Sequence, residues 1–124
     1  MINQILTMHN HFDISTGDIK WSAEEKVFRI DCLQEELYEY QASTTLEDEL
    51  DALVDLVVFA LGTAERQGLM PVFAVAFERV MNANMKKEIG PNSKRGSFAI
   101  DLVKPEGWEA PDHSDLVNNQ LEMF

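Results

Sequence analysis

Residues 50–64 constrain this chain more than any other stretch: Leu-Asp-Ala-Leu-Val-Asp-Leu-Val-Val-Phe-Ala-Leu-Gly-Thr-Ala. Read as a helix it is apolar nearly all round. A helix without a water-facing side belongs inside a bundle or at an interface between copies. Before Gly62 and Thr63, only Asp51 and Asp55 break its surface. They lie four apart, on one face, with Val58 and Phe59 beside the next turn. An unpaired carboxylate in such a place costs several kcal/mol, so each needs a cation or a proton.

The neighbouring segments supply the rest of a helical bundle. Ser22 followed by Glu25 is a capping box, and no Gly or Pro interrupts the chain from there to about Ala42. Thr44 and Glu47 repeat that start signal for the apolar helix, which is expected to reach about Gln67 and stop at Gly68. Pro71 suits the first turn of another helix, ending near Lys87 before Gly90. A short helix over residues 2–11 is expected on a weaker pattern. Residues 13–18 read as a loop. From Pro91 the composition turns to Pro, Gly, Ser and Asn, with an extended run expected over residues 97–103. Trp108, between Pro105 and Pro111, predicts an ordered strap. The fold class expected is all-α: a four-helix-bundle-like single domain over residues 1–124. Its core spans about 22–90, and a C-terminal loop or strap occupies 91–124.

On a helical wheel the first long helix carries an apolar sector of Ile30, Leu33, Leu37 and Tyr40, and a second of Phe28 with Cys32. Glu36 falls between them, on the side expected to be buried, and Glu39 sits beside it one turn on. In a chain with 22 acidic residues a chance Glu-x-x-Glu is common, so the wheel position carries more weight than the spacing. Arg29 is the only basic residue near the middle of either helix, and it cannot neutralise Glu36, Glu39, Asp51 and Asp55 together. A hard divalent cation can, so Mg²⁺ is the expected cofactor, with Mn²⁺ as the alternative. In the fourth helix Phe73, Phe77, Val80 and Met81 form the expected buried stripe, which Asn84 continues, and Lys87 follows one turn later. Lys94 and Arg95 then place two cations in a loop, so Lys87, Lys94 and Arg95 gather three of the ten basic residues in one stretch. Carboxylates that hold a metal, together with such cations, suit phosphoryl chemistry.

A formal net charge of −12 argues against a nucleic-acid polymer as partner, because binding that backbone needs clustered cations. No run is long and apolar enough to span a bilayer. Cys32 stands alone, which excludes an intrachain disulfide and points to a reducing, cytoplasmic setting. The N-terminus carries no signal-peptide pattern. His9, His11 and His113 show no ligand spacing and read as surface residues.

Three segments taken together resemble a known family: Glu35-Glu-Leu-Tyr-Glu39, the run from Glu49 to Ala64, and Ala83-Asn-Met-Lys-Lys87. They are similar to the MazG-like all-α nucleoside triphosphate pyrophosphohydrolases. The likeness is nearest to the short, often phage-encoded members described as phosphoribosyl-ATP pyrophosphohydrolase-like. Ser93-Lys-Arg-Gly96 and Lys104-Pro-Glu-Gly-Trp-Glu-Ala-Pro-Asp112 are similar to the ending of those members. The resemblance implies an Mg²⁺ site from Glu-x-x-Glu on one helix, here Glu36 and Glu39, and Glu-x-x-Asp on the next, here ending at Asp55. Ala52 stands where the pattern has its second Glu, and Asp51 is the expected substitute. Asn84 and Lys87 match the substrate-contacting Asn and Lys, and Glu35, Glu36 and Glu39 are the catalytic carboxylates, Glu35 or Glu39 serving to deprotonate water. The implied reaction splits a nucleotide between its α- and β-phosphates, in a homodimer or homotetramer. The alternatives are the phosphoribosyl-ATP step itself and a non-catalytic acidic helical interaction module or DNA mimic.

Overall fold

The computed structural model describes residues 1–121, and the chain divides into two compact units, Met1–Pro71 and Val72–Phe124. It is mostly helical, with five helices among the described residues and one two-stranded sheet.

The first unit is built from α1 (Ile2–His11), α2 (Ala23–Ala42) and α3 (Leu46–Arg66). α2 begins where the capping box places it, with the Ser22 hydroxyl accepting from the Glu25 N–H at 3.1 Å. α3 is capped one residue later than expected: Thr45, not Thr44, accepts from the Asp48 N–H. Beyond α3, Gly68 takes a left-handed φ of 77°, which ends the helix at a residue without a Cβ. With only residues 43–45 between them, α2 and α3 must run antiparallel, and α2 packs along α3 while α1 packs on α3 as well.

The register of that hairpin is fixed by charge. Arg66, 3% exposed at the end of α3, places Nε and Nη2 on the two carboxylate oxygens of Glu25 at 2.7 Å each. Its remaining hydrogen bonds go to the carbonyls of Ile14, Ser15 and Ile19, so one guanidinium also gathers the loop after α1. Beside it Glu65 accepts from the Thr16 N–H and hydroxyl and bonds His9 Nδ1 at 2.7 Å. His9 is 2% exposed and belongs to the interior, not to the surface where the sequence pattern put it. Gly62 completes the junction: a Cβ there would stand 3.0 Å from Arg29 Nη1 and 3.2 Å from His9 Nε2, so both side chains would have to give way by a few tenths of an ångström.

Apolar burial is sparse by contrast. Ile5, Cys32, Ala52, Leu61 and Ala64 are buried, and among the described residues no large side chain is fully so. The inward stripe of α2 is Arg29, Cys32 and Glu36, while both expected apolar sectors remain largely outside: Phe28, Ile30, Leu37 and Tyr40 are exposed. Leu50, Leu53, Val54 and Val57 of α3 are exposed too. The wheel identifies these surfaces as apolar, and among the described residues they are left uncovered.

In the second unit α4 (Met70–Asn84) ends at Asn84, three residues short of the expected Lys87. Of its expected buried stripe, Phe73 is half-buried and Phe77, Val80 and Met81 are exposed. Two short antiparallel strands follow, β1 (Glu88–Ile89) and β2 (Leu102–Val103), with Glu88 opposite Val103. The extended run is therefore only the last two residues of the stretch expected. Between the strands a 3-10 turn, Ser93–Arg95, starts with the Asn92 side chain accepting from the Lys94 N–H. Trp108 is tied down as the strap requires, its indole N–H donating to the Ala83 carbonyl at 2.8 Å. The tail is more than a strap, because residues 114–121 form a further helix, α5 (Ser114–Leu121). Asp112 accepts from the Ser114 N–H at its start, and Arg79 grips the Asp115 carboxylate with two bonds. No described helix is long and apolar enough to cross a membrane.

The Glu25–Arg66 pair supports a stability prediction with a pH signature. Hydrogen bonding by Arg66 holds the Glu25 carboxyl below its ordinary value, so this contribution is present above that value and is lost as pH falls through the lowered one. Arg66→Ala should cost about 3–5 kcal/mol by leaving Glu25 and three carbonyls without their partner. Glu25→Gln should be less stable than the parent near neutral pH, and the gap should close in acid. Urea denaturation across that pH range measures both.

Candidate metal and phosphate sites

α2 and α3 bring three of the predicted metal ligands together. Glu36, Glu39 and Asp55 each offer a carboxylate oxygen, and these atoms lie within 4.8 Å of one another. The grouping follows from the register: eleven residues separate Glu25 from Glu36, and eleven separate Asp55 from Arg66. Eleven residues are close to three helical turns, so the charged anchor at one end and the carboxylates further along occupy the same facing stripe.

The three are not equivalent. Glu36 is buried, Asp55 half-buried and Glu39 exposed. Burial first, then the adjacent Glu39 carboxyl and the charges of Asp55 and Glu35, push the Glu36 carboxyl up to about 7. One of its oxygens, Oε2, is buried and has no hydrogen-bond partner. A carboxylate oxygen withdrawn from water and left unpaired, beside two further acids, fits a small hard cation: the donor set is all oxygen and already carries the opposing charge. Arg29, the nearest candidate for internal neutralisation, is directed elsewhere, with its Nε 3.8 Å from Glu25.

Asp51 stands outside this group and is exposed. The spacing of four from Asp55 is correct, but Ala52, 2% exposed, is the residue of that turn that points inward. Asp51 lies about 100° around the helix from it, on the outer side. Glu35 is likewise outside the group and exposed, beside Glu39 in a shallow groove along α2 that Asp31 and Tyr38 also line.

The predicted phosphate ligands collect in the second unit. Lys87, Lys94 and Arg95 line one cleft of about 620 Å³ with Asn92, Ser93 and a residue the sequence reading passed over, Lys104. Asn84 is half-buried and is not part of the lining. The cleft is made by the hairpin: β1 follows Lys87, the 3-10 turn presents Lys94 and Arg95, and β2 ends beside Lys104. Arg95 is held by Asp101 through two bonds of 3.0 and 2.5 Å, which keep the guanidinium charged and lower the Asp101 carboxyl. Lys87 and Lys104 place their ammonium groups 5.1 and 5.2 Å from the centre of the Trp108 ring. Lys104 was legible only as one more cation in the strap, since it lies seventeen residues beyond Lys87 and the hairpin is what joins them.

Compared with known proteins, the chain matches no family model, no curated protein and no solved structure.

The raised Glu36 carboxyl makes a prediction about the metal-free protein. A group whose value in the folded state lies above its ordinary 4.5 favours folding when protonated. Its contribution is whole below that ordinary value and disappears as pH rises through about 7. In EDTA, the melting temperature of the wild type should therefore fall between about pH 5 and pH 8 relative to Glu36→Gln, which has no proton to lose there. Parallel melting curves for the two proteins would show that Glu36 ionises freely.

Proposed function

We propose that this protein is a magnesium-dependent nucleoside triphosphate pyrophosphohydrolase of the MazG-like all-α type, cleaving a nucleotide between its α- and β-phosphates. The observation that carries the reading is the meeting of Glu36, Glu39 and Asp55 around an unpartnered, buried carboxylate oxygen. The motif resemblance over residues 28–112 supplies the reaction class.

Glu36, Glu39 and Asp55 are the residues that would hold the ion. Bound there, Mg²⁺ supplies Lewis-acid activation of water and charge neutralisation at the phosphates. The chain's own residues divide the remaining work. Glu36 gives up its proton when the ion takes its place, which couples binding to pH. Glu35 and Glu39, both exposed on α2, are the carboxylates able to accept the proton of an attacking water. Lys87, Lys94 and Arg95 bind the phosphates and balance the charge of the departing pyrophosphate, and Asn84 contacts substrate through its amide.

The uncovered apolar faces of α2 and α3 support an oligomer. Exposed Phe28, Leu37, Leu50, Leu53 and Val57 form more apolar surface than a single soluble copy ordinarily leaves to water, and a homodimer or homotetramer would bury it. Static light scattering at micromolar concentration should report at least twice the 14.1 kDa chain mass. A monodisperse monomer would refute the assembly.

Activity is tested with a panel of nucleotides and Mg²⁺, following pyrophosphate and monophosphate. At least one should be converted to those two products; orthophosphate and a diphosphate would place the cleavage at the wrong bond. Asp55→Asn keeps the size and hydrogen-bonding shape of the side chain but removes the charge a divalent ion needs, and should lose Mg²⁺ binding with nearly all activity. Without metal the same variant should be at least as stable as wild type, because like charges have been separated from Glu36. Asp51→Asn, altering an exposed residue outside the group, should retain most of its Mg²⁺ affinity.

A further inference from the structure

The hairpin cleft is unusual for a chain with this charge. The protein has 22 acidic residues against ten Lys and Arg, yet four of those ten cations line this one cleft. Among the described residues the ion pairs of Lys and Arg use Arg29, Arg66, Arg79 and Arg95. No lysine is in these pairs; what sets Lys87, Lys94 and Lys104 apart is that they line one cleft together with Arg95. Lys87 and Lys104 rest instead against the face of Trp108, a weaker partner that an anionic ligand readily outcompetes. Asp101, outside the lining, is bound by Arg95, which it orients, and the charge of Lys87 also acts on it.

We propose that Lys87, Lys94, Arg95 and Lys104 form a binding site for a linear oligophosphate that fills without a metal ion, with Lys104 as an essential member. This deepens the reading of Lys87, Lys94 and Arg95 given above and rests on it for the role of the phosphates in the reaction. The cleft volume of about 620 Å³ is that of a small-molecule site and exceeds what a single phosphate needs. Three lysines beside the Asp101-paired Arg95 leave a net charge of about +3, which suits several negative charges strung along a chain, whereas a monovalent anion engages only some of the cations. The Asn92 side chain and the Ser93 hydroxyl add hydrogen-bonding groups at the turn between Lys87 and Lys94. As the ligand draws the two ammonium groups off the indole, the surroundings of Trp108 change, and its fluorescence reports occupancy.

The test uses the full-length chain in EDTA, in a Trp21→Phe background so that Trp108 is the sole tryptophan. Inorganic tripolyphosphate, adenosine triphosphate and orthophosphate are titrated, with binding read by calorimetry and by tryptophan emission. Tripolyphosphate and the nucleotide should both bind and shift the emission, each losing affinity steeply with added salt, and orthophosphate should bind far more weakly. Lys104→Gln and, separately, Lys94→Gln should each weaken tripolyphosphate by roughly tenfold while melting like the parent, since both side chains are exposed. Failure of the folded parent to bind either oligophosphate in EDTA would overturn the site. Unchanged affinity in Lys104→Gln would overturn its membership, and binding of the nucleotide alone would show recognition of the base, not the phosphates. Asp55→Asn should bind tripolyphosphate like the parent. A protein that binds both anions yet hydrolyses no nucleotide with Mg²⁺ keeps this site and loses the hydrolase reading. One that hydrolyses a nucleotide but ignores tripolyphosphate in EDTA loses this site alone.

Discussion

The Arg66 guanidinium is the constraint on which the first unit depends. Its five N–H donors are directed at a carboxylate on α2 and at backbone carbonyls in the loop after α1, and it is almost wholly withdrawn from water. A charge so placed is tolerable only with its partners in position, so it selects one register of α2 on α3 and rejects those that leave it unpaired. Leu and Val surfaces, which pack in several registers at similar cost, could not do this alone. Gly62 matters for the same reason, admitting Arg29 and His9 to a junction that any side chain would crowd.

From that register the carboxylate group follows. Once Glu25 meets Arg66, the same stripe three turns along brings Glu36 to Asp55, with Glu39 beside them. The fold thus keeps a neutral ion pair at one end of the hairpin and an uncompensated cluster of acids further along it. The first holds the helices together; in the second, burial and then the neighbouring acids favour the protonated form of Glu36. Stability and the cation binding proposed above would therefore be two readings of one electrostatic arrangement.

Much of this was legible in the sequence, and the gaps have physical causes. Helix starts were visible because caps are local: Ser22 and Glu25 act across a single turn. The wheel placed Glu36 inward, since angle along one helix is a property of that helix alone. It did not decide between Asp51 and Ala52 as the inward residue of α3, because that choice depends on where the partner helix lies. Arg66 and Lys104 escaped notice and His9 was read as a surface residue for a related reason, as each takes its meaning from a residue far along the chain. α5 went unseen because it is short and polar and is held by Arg79, more than thirty residues upstream. The apolar sectors were identified, but their exposure was not, because an amphipathic pattern does not say whether its cover comes from the same chain or from another.

The equal spacing on the two sides of the hairpin works as a ruler. Inserting or deleting one residue of α2 between Glu25 and Glu36 would leave the anchor intact while turning everything beyond it by about 100°. Glu36 would then face water and a neighbour would take its place against Asp55. The helix itself would lose little, since propensity and capping are indifferent to such a change. A length change in one arm alone would therefore break up the carboxylate group, whereas substitution at outward positions would leave it in place. Any descendant of this chain with a longer hairpin would have to lengthen both arms together, by close to whole numbers of turns.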